Sequence, residues 1–122
     1  MLRIRPATPD DLAKAALPLR PTLKALVGEV EGETIGLAGL ARIAGRYYAF
    51  CDLTSAQAHP YRYRIARAAQ RFLLEARQAG IRFIYTAANP AEPRAPLWLA
   101  SLGFKPDPRH PHLYRWSATD HV

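Results

Sequence analysis

The sequence contains a single cysteine, Cys51, in 122 residues. One cysteine can close no disulfide within the chain, and without clustered partners it argues against a zinc site. Lysine is scarce: 14 of the 17 basic residues are arginine. No apolar run approaches the roughly 20 residues that a membrane-spanning helix needs, so no membrane partner is expected. The opening MLRIRPATPDD carries no signal-peptide apolar region, which makes the cytosol the expected compartment. Internal repeats and low-complexity tracts are missing as well. What remains is a chain with 49% apolar residues, enough to bury a core, and of a length that suits one domain spanning residues 1–122.

The net charge is +7. An excess of that size points to an anionic partner: a phosphorylated cofactor, a nucleic acid or an acidic protein. Arginine forks match phosphate geometry. A GC-rich coding sequence would account for the same bias toward alanine, arginine and proline, and both explanations stay open on composition alone.

Hydrophobic periodicity gives the order β-α-β-β-β-α-β-α-β, an α/β fold with a mixed sheet of about six strands. Leu2 and Ile4 alternate with Arg3 and Arg5 as a half-buried first strand. Thr8 is placed as the N-cap of a short helix, with Pro9 at its first position and Asp10 and Asp11 in its first turn. That helix runs through Leu12, Ala15 and Ala16 until Pro18 and Pro21 stop it. Three strands follow, Lys24 to Val30, Thr34 to Ile43 (loosened by Gly36 and Gly39) and Tyr47 to Leu53. Short turns at residues 31–33 and 44–46 join them into an antiparallel meander. Pro60 opens the longest helix, whose stripe is Ile65, Ala69, Phe72, Leu73 and Ala76, and Gly80 caps it. Ile81 to Ala87 reads as a central strand covered on both faces. A short helix around Pro96 to Leu102 and a last strand from His110 to Ser117 complete the order.

That order, the opening IRPATPDDL, the segment EVEGETIGLAGL and the closing SLGF resemble the GNAT superfamily, the GCN5-related N-acetyltransferases, over nearly the whole chain in outline. The resemblance implies acetyl-CoA as acyl donor and an amine, on a small molecule or on a protein, as acceptor. In that family the backbone N–H groups opening the long helix hold the pyrophosphate of the cofactor, because unpaired amides and the helix dipole favour an anion. The family pattern there is Gln/Arg-x-x-Gly-x-Gly/Ala, and the matching stretch runs from Tyr61 to Ala66. Ala66 fits, Tyr61 replaces the Gln/Arg, and Arg64 replaces the glycine. Arg64 either blocks the cradle or, with Arg62, grips phosphate by its side chain; a third reading makes Arg64, Arg67 and Arg71 a solvated helix face.

The resemblance further implies that Arg62, Arg64, Ile65 and Ala66 border the pyrophosphate, Leu53 and Thr54 line the pantetheine, and Asn89 bonds its arm. Asp52 is the candidate base, directly or through water, and Glu29 is the second. Family members often carry a tyrosine four residues before the closing Gly-Phe pair as general acid, where this chain has Leu99. Trp98 beside it cannot donate as an acid at neutral pH, and Tyr85 could serve from the neighbouring strand. The family usually has two helices, around 30 residues, between the first two strands. The shorter connection here curtails the acceptor wall, leaving a large substrate, a completing partner subunit or no acceptor. Similarly shortened GNAT-like domains occur among phage and prophage proteins.

Two other functions stand beside N-acetyl transfer. One is a catalytically inactive GNAT-like binding or structural module. The other is nucleic-acid binding, since Tyr47, Tyr48, Tyr61 and Tyr63 interleave with Arg46, Arg62 and Arg64. A homodimer through the open edge of the meander is a further option. His110, His112 and Asp107 do not read as a metal site, with Pro111 between the histidines, and Cys51 reads as a buried strand residue rather than a nucleophile.

Overall fold

The structure, a computed structural model, describes residues 1–14, 22–53, 58–88 and 93–121. The chain divides into two compact units, Met1–Ile65 and Ala66–Val122. Together they contain seven strands among the described residues, one more than the sequence pattern indicates, and few helices.

The first unit is built on β1 (Leu2–Pro6), β2 (Thr22–Val30), β3 (Glu33–Ile43) and β4 (Arg46–Leu53), paired antiparallel in chain order. The expected meander is therefore present and extended by β1 on its outer side. The turn between β3 and β4 is just Ala44-Gly45, both at positive φ (50° and 80°). That pair of left-handed residues is the type I′ geometry that matches strand twist. Alanine in the first position carries a steric penalty that asparagine would not.

The core of this unit is Ala25, Val27, Leu37, Ala41 and Phe50, with Ala7 packed against it. Gly39 sits at its tightest point. A Cβ there would lie 2.5 Å from the Lys24 carbonyl, 2.6 Å from Phe50 Cζ and 2.9 Å from Ala25 Cβ. Gly39 pairs with Phe50 across the β3–β4 ladder, so the Phe50 ring occupies the space the missing side chain leaves. Gly39 thus tightens β3 rather than loosening it. Cys51, the next residue along, points the other way and is exposed, against the buried position expected for it; strand alternation gives the core side to Phe50.

Helix α1 (Pro9–Lys14) begins as the sequence indicates. The Asp11 N–H donates to Thr8 Oγ1 at 3.3 Å while the Thr8 N–H donates to Asp11 Oδ2 at 2.7 Å, a reciprocal capping box. Ala15, Ala16 and Pro18 lie outside the described residues. Arg5 ties this cap to the sheet: its guanidinium donates to both Asp11 oxygens, at 2.8 and 3.2 Å, and to Glu29 Oε1 at 2.6 Å. One arginine thereby fastens β1 to β2 and to α1. The bonds from Arg5 and from the Thr8 backbone hold the Asp11 carboxyl well below the usual carboxylate range.

Helix α2 (Arg62–Gln78) is entered through a 3₁₀ turn, His59–Tyr61, so Pro60 opens that turn rather than the helix. Its stripe faces inward as expected: Leu73 and Ala76 are buried, Ile65, Ala69 and Phe72 half-buried, while Arg64, Arg67 and Arg71 are exposed. In the second unit follow β5 (Phe83–Ala87), α3 (Ala95–Ser101), β6 (Lys105–Asp107) and β7 (His110–Ser117). β7 pairs antiparallel with both β5 and β6. Strand β6, which the sequence pattern misses, is three residues long and contains Pro106, a residue that reads as a breaker but is tolerated at a sheet edge.

Both larger helix ends use one device. Gly80 and Gly103 adopt φ of 90° and 96°; the Ile81 N–H then reaches the Ala76 carbonyl at 3.1 Å and the Phe104 N–H the Leu99 carbonyl at 3.0 Å. These are Schellman caps, in which the residue after the glycine returns to pack on the helix. Phe104 and Leu99 are both buried, which explains physically why Leu-Gly-Phe closes α3.

Two outcomes follow for stability. Gly39→Ala should destabilise the protein by about 1–3 kcal/mol through overpacking, whereas Ala44→Asn should stabilise it by about 0.5–1 kcal/mol; urea unfolding of the two variants measures both. Asp11 is the acid-sensitive contact. Its folded carboxyl titrates below the unfolded value of about 3.9, so its stabilisation is full above that pH and is lost as pH falls through and below it. Thermal melts between neutral pH and pH 2 should show this acid limb, and Asp11→Asn should flatten it.

Candidate functional site

The described residues nominated for the cofactor fall at the end of β4 and in the opening turns of α2. Asp52 and Leu53 are the last two residues of β4, in register with Leu37 and Gly36 of β3. Thr54 and Asn89 lie outside the described residues. Arg62, Arg64, Ile65 and Ala66 come together in the opening turns of α2, with Arg62 and Arg64 exposed and Ile65 and Ala66 half-buried.

No acidic residue occupies the first turn of α2. The Arg62 N–H, the first of α2, donates to the His59 carbonyl, so what this end of the helix presents to a phosphate-bearing group is the positive charge of its arginines. The two arginines differ in what holds them. Arg62 folds back: its Nη1 donates to the His59 carbonyl at 3.1 Å and lies 3.4 Å from His59 Nε2, and its guanidinium stacks 4.7 Å from the centroid of the Tyr63 ring. Among the described residues Arg64 has no hydrogen-bond or ion-pair partner, and it extends from the side of the helix opposite the apolar stripe.

Of the two candidate bases, Glu29 is engaged by Arg5 at 2.6 Å, and Asp52 stands opposite Leu37 in the β3–β4 ladder. At the position of the family's acid, Leu99 is buried and packed into the α3 cap. Tyr85 is half-buried on β5, in register with Arg115 of β7.

The sequence reading gave no role to the buried carboxylate of the second unit. Asp107 is 5% exposed; its Oδ1 accepts the Arg109 N–H at 3.0 Å and its Oδ2 lies 3.1 Å from His110 Nδ1. These bonds, the backbone one foremost, hold its carboxyl below the usual range. The signal was present as Asp-Pro-Arg-His, an aspartate opening a proline turn between two strands. Among the described residues no group of three His, Cys, Asp or Glu side chains could hold a metal ion, and no helix is long and apolar enough to cross a membrane.

No protein-family model and no curated protein matches the sequence. Solved structures do match the fold. The ribosomal-protein-S18-alanine N-acetyltransferase from Escherichia coli is similar over 97% of this chain and 94% of its own, with a TM-score of 0.66 at 13% identity. The GNAT domain of S. lividans PAT is similar over 93% of this chain and 88% of its own, with a TM-score of 0.63 at 17% identity. The aminoglycoside acetyltransferase AAC(6')-Ib, solved with coenzyme A and kanamycin, is similar over 100% of this chain and 99% of its own, with a TM-score of 0.62 at 17% identity. With its element order and these likenesses, the chain has the GNAT fold.

Proposed function

We propose that residues 1–122 act as a single acyl-CoA-dependent N-acetyltransferase domain, moving acetyl from acetyl-CoA to an amine. The observation that carries this reading is the likeness to GNAT acetyltransferases along nearly the whole chain, one of them solved with coenzyme A. The bound cofactor would supply an acetyl group already activated as a thioester.

The chain's own residues take the following parts. Arg62, Ile65 and Ala66 border the pyrophosphate, and Arg64 reaches it with its guanidinium. Arg62 is occupied with His59 and Tyr63, so it shapes the turn, while the exposed Arg64 supplies the charge-assisted bonds that the family takes from a glycine's backbone. Leu53 and Thr54 line the pantetheine, and Asn89 bonds its arm. An amine with an unperturbed pKa of about 10.4 is protonated at neutral pH and must lose a proton before it attacks. Asp52 takes that proton, directly or through water. With Leu99 in the place of a tyrosine, no positioned acid meets the departing thiolate there. Such a loss costs about 10² to 10⁴ in rate without abolishing transfer.

A second reading, a GNAT-like binding module without catalysis, is favoured by the burial of Leu99 at that position. Calorimetry with acetyl-CoA separates the two. Binding is expected, and Arg64→Gly should weaken it by about 10- to 100-fold, the worth of bonds to a charged group. Tighter binding by Arg64→Gly would show that Arg64 obstructs the cradle. No detectable heat at millimolar cofactor would sink the enzyme reading and leave the module.

A further inference from the structure

Within the second unit a groove of about 370 Å³ lies between the C-terminal half of α2 and the end of α3. Leu73, Leu102 and Trp116 line it and are buried, the tryptophan to 2% exposed. Leu74 lines it as well and stays 48% exposed. Ser101 adds little polarity, because its hydroxyl donates to the Trp98 carbonyl. Singly exposed leucines are common on folded surfaces, but this one continues an apolar depression built by three other side chains. An aliphatic side chain laid beside Leu74 would exchange water for carbon on several sides.

Charge accompanies the groove on one wall only. Helix α3 has no charged residue, whereas α2 carries five arginines against one acid, Glu75. Two of those arginines share the outer side of the helix with Leu74. Arg71 and Arg67 precede it by three and seven residues, roughly 4.5 and 10.5 Å along the axis. Arg67 is exposed and, among the described residues, has no hydrogen-bond, ion-pair or ring partner. The Arg71 side chain is 81% exposed and reaches Glu75 at 3.4 Å, an exposed pair that a competing carboxylate displaces at little cost. Arg77 lines the groove but holds an interaction of its own, so the charge offered comes from Arg67 and Arg71.

We propose that this groove docks an acidic amphipathic segment of a partner protein, with an apolar side chain beside Leu74 and carboxylates paired with Arg67 and Arg71. An aliphatic depression with cations one and two helical turns away matches a helix that carries leucines on one side and acids beside them. Charge complementarity selects this occupant. A second copy of the chain, joined face to face, would set α2 arginines against α2 arginines. A nucleic acid would pair with the cations, but Trp116 is the one aromatic residue lining the groove and is too buried to stack on a base. None of these residues is assigned to acetyl-CoA, so the inference stands independently of acyl transfer.

Fluorescence anisotropy with a labelled acidic peptide tests it: about 18 residues, glutamate and glutamine around an i, i+4 pair of leucines. Binding should weaken with salt. Leu74→Ala should weaken it about tenfold, while Leu74→Met, which keeps apolar volume, should retain it. Arg67→Glu should weaken it about tenfold as well. Arg82→Glu, the same charge change at an exposed residue outside the groove, should alter it less than twofold. If Leu74→Ala proves unfolded by circular dichroism, Ser101→Trp, which fills the groove from the other wall, should show the same loss. The proposal is overturned by absent binding, by equal binding of a peptide with lysine in place of glutamate, or by Leu74 and Arg67 variants that bind like the parent. A single-stranded RNA that binds as tightly as the peptide, or sedimentation showing a dimer that Leu74→Ala dissociates, would overturn it too.

Discussion

The close approach of Phe50 to Gly39 sets the register on which the first unit depends. A ring that fills the space over a missing side chain accepts one pairing only, because a slip of one residue would turn every side chain of β4 to the opposite face. The register that follows, Gly39 with Phe50, Leu37 with Asp52 and Gly36 with Leu53, carries straight to the end of the strand. The two residues nominated for chemistry and for pantetheine contact are therefore positioned by a packing contact a few residues upstream. The Ala44-Gly45 turn works to the same end, since a two-residue connection leaves no slack for an alternative register.

Charge is distributed with less economy. Arg5 spends its guanidinium on Asp11 and Glu29, and Arg62 spends its own on a backbone carbonyl, an imidazole and a ring. Both serve as local struts. A net charge of +7 thus overstates what is available to a ligand. The arginines free to meet an anion are those without such duties, which narrows the loop to Arg64. Glu29 is engaged in the same way, since its Oε1 accepts from Arg5 at 2.6 Å.

Much of the architecture was legible because its signals are local. The Thr8-Pro9-Asp10-Asp11 run becomes a capping box, the stripe of α2 faces inward, and glycine ends both larger helices. What escaped depended on partners distant in sequence. Strand β6 exists because β7 offers it a ladder, which no pattern in Lys-Pro-Asp announces. Gly39 reads alone as a weak strand residue, and only Phe50, eleven positions on, makes it a tight one. Cys51 was assigned to the core by residue type, and alternation against Phe50 placed it outside. For the site, residue types at the start of α2 suggested phosphate, but which arginine is tethered could be seen only once His59 and Tyr63 were in place.

An apolar strand is expected to be covered on both faces, and β5 departs from that at one end. Phe-Ile-Tyr-Thr-Ala looks continuous in sequence, yet Ile84 is sealed and Phe83 beside it is open. A folded domain gains nothing in its own stability from leaving a phenyl ring in water, since burial of such a side chain is worth about 1.5–3 kcal/mol. Arg115 offsets a little of that by lying against the ring, but an exposed cation–π contact contributes only about 0.5–1 kcal/mol. A singly exposed apolar side chain is common on folded surfaces, and here the contact with Arg115 is what the fold supplies to the ring.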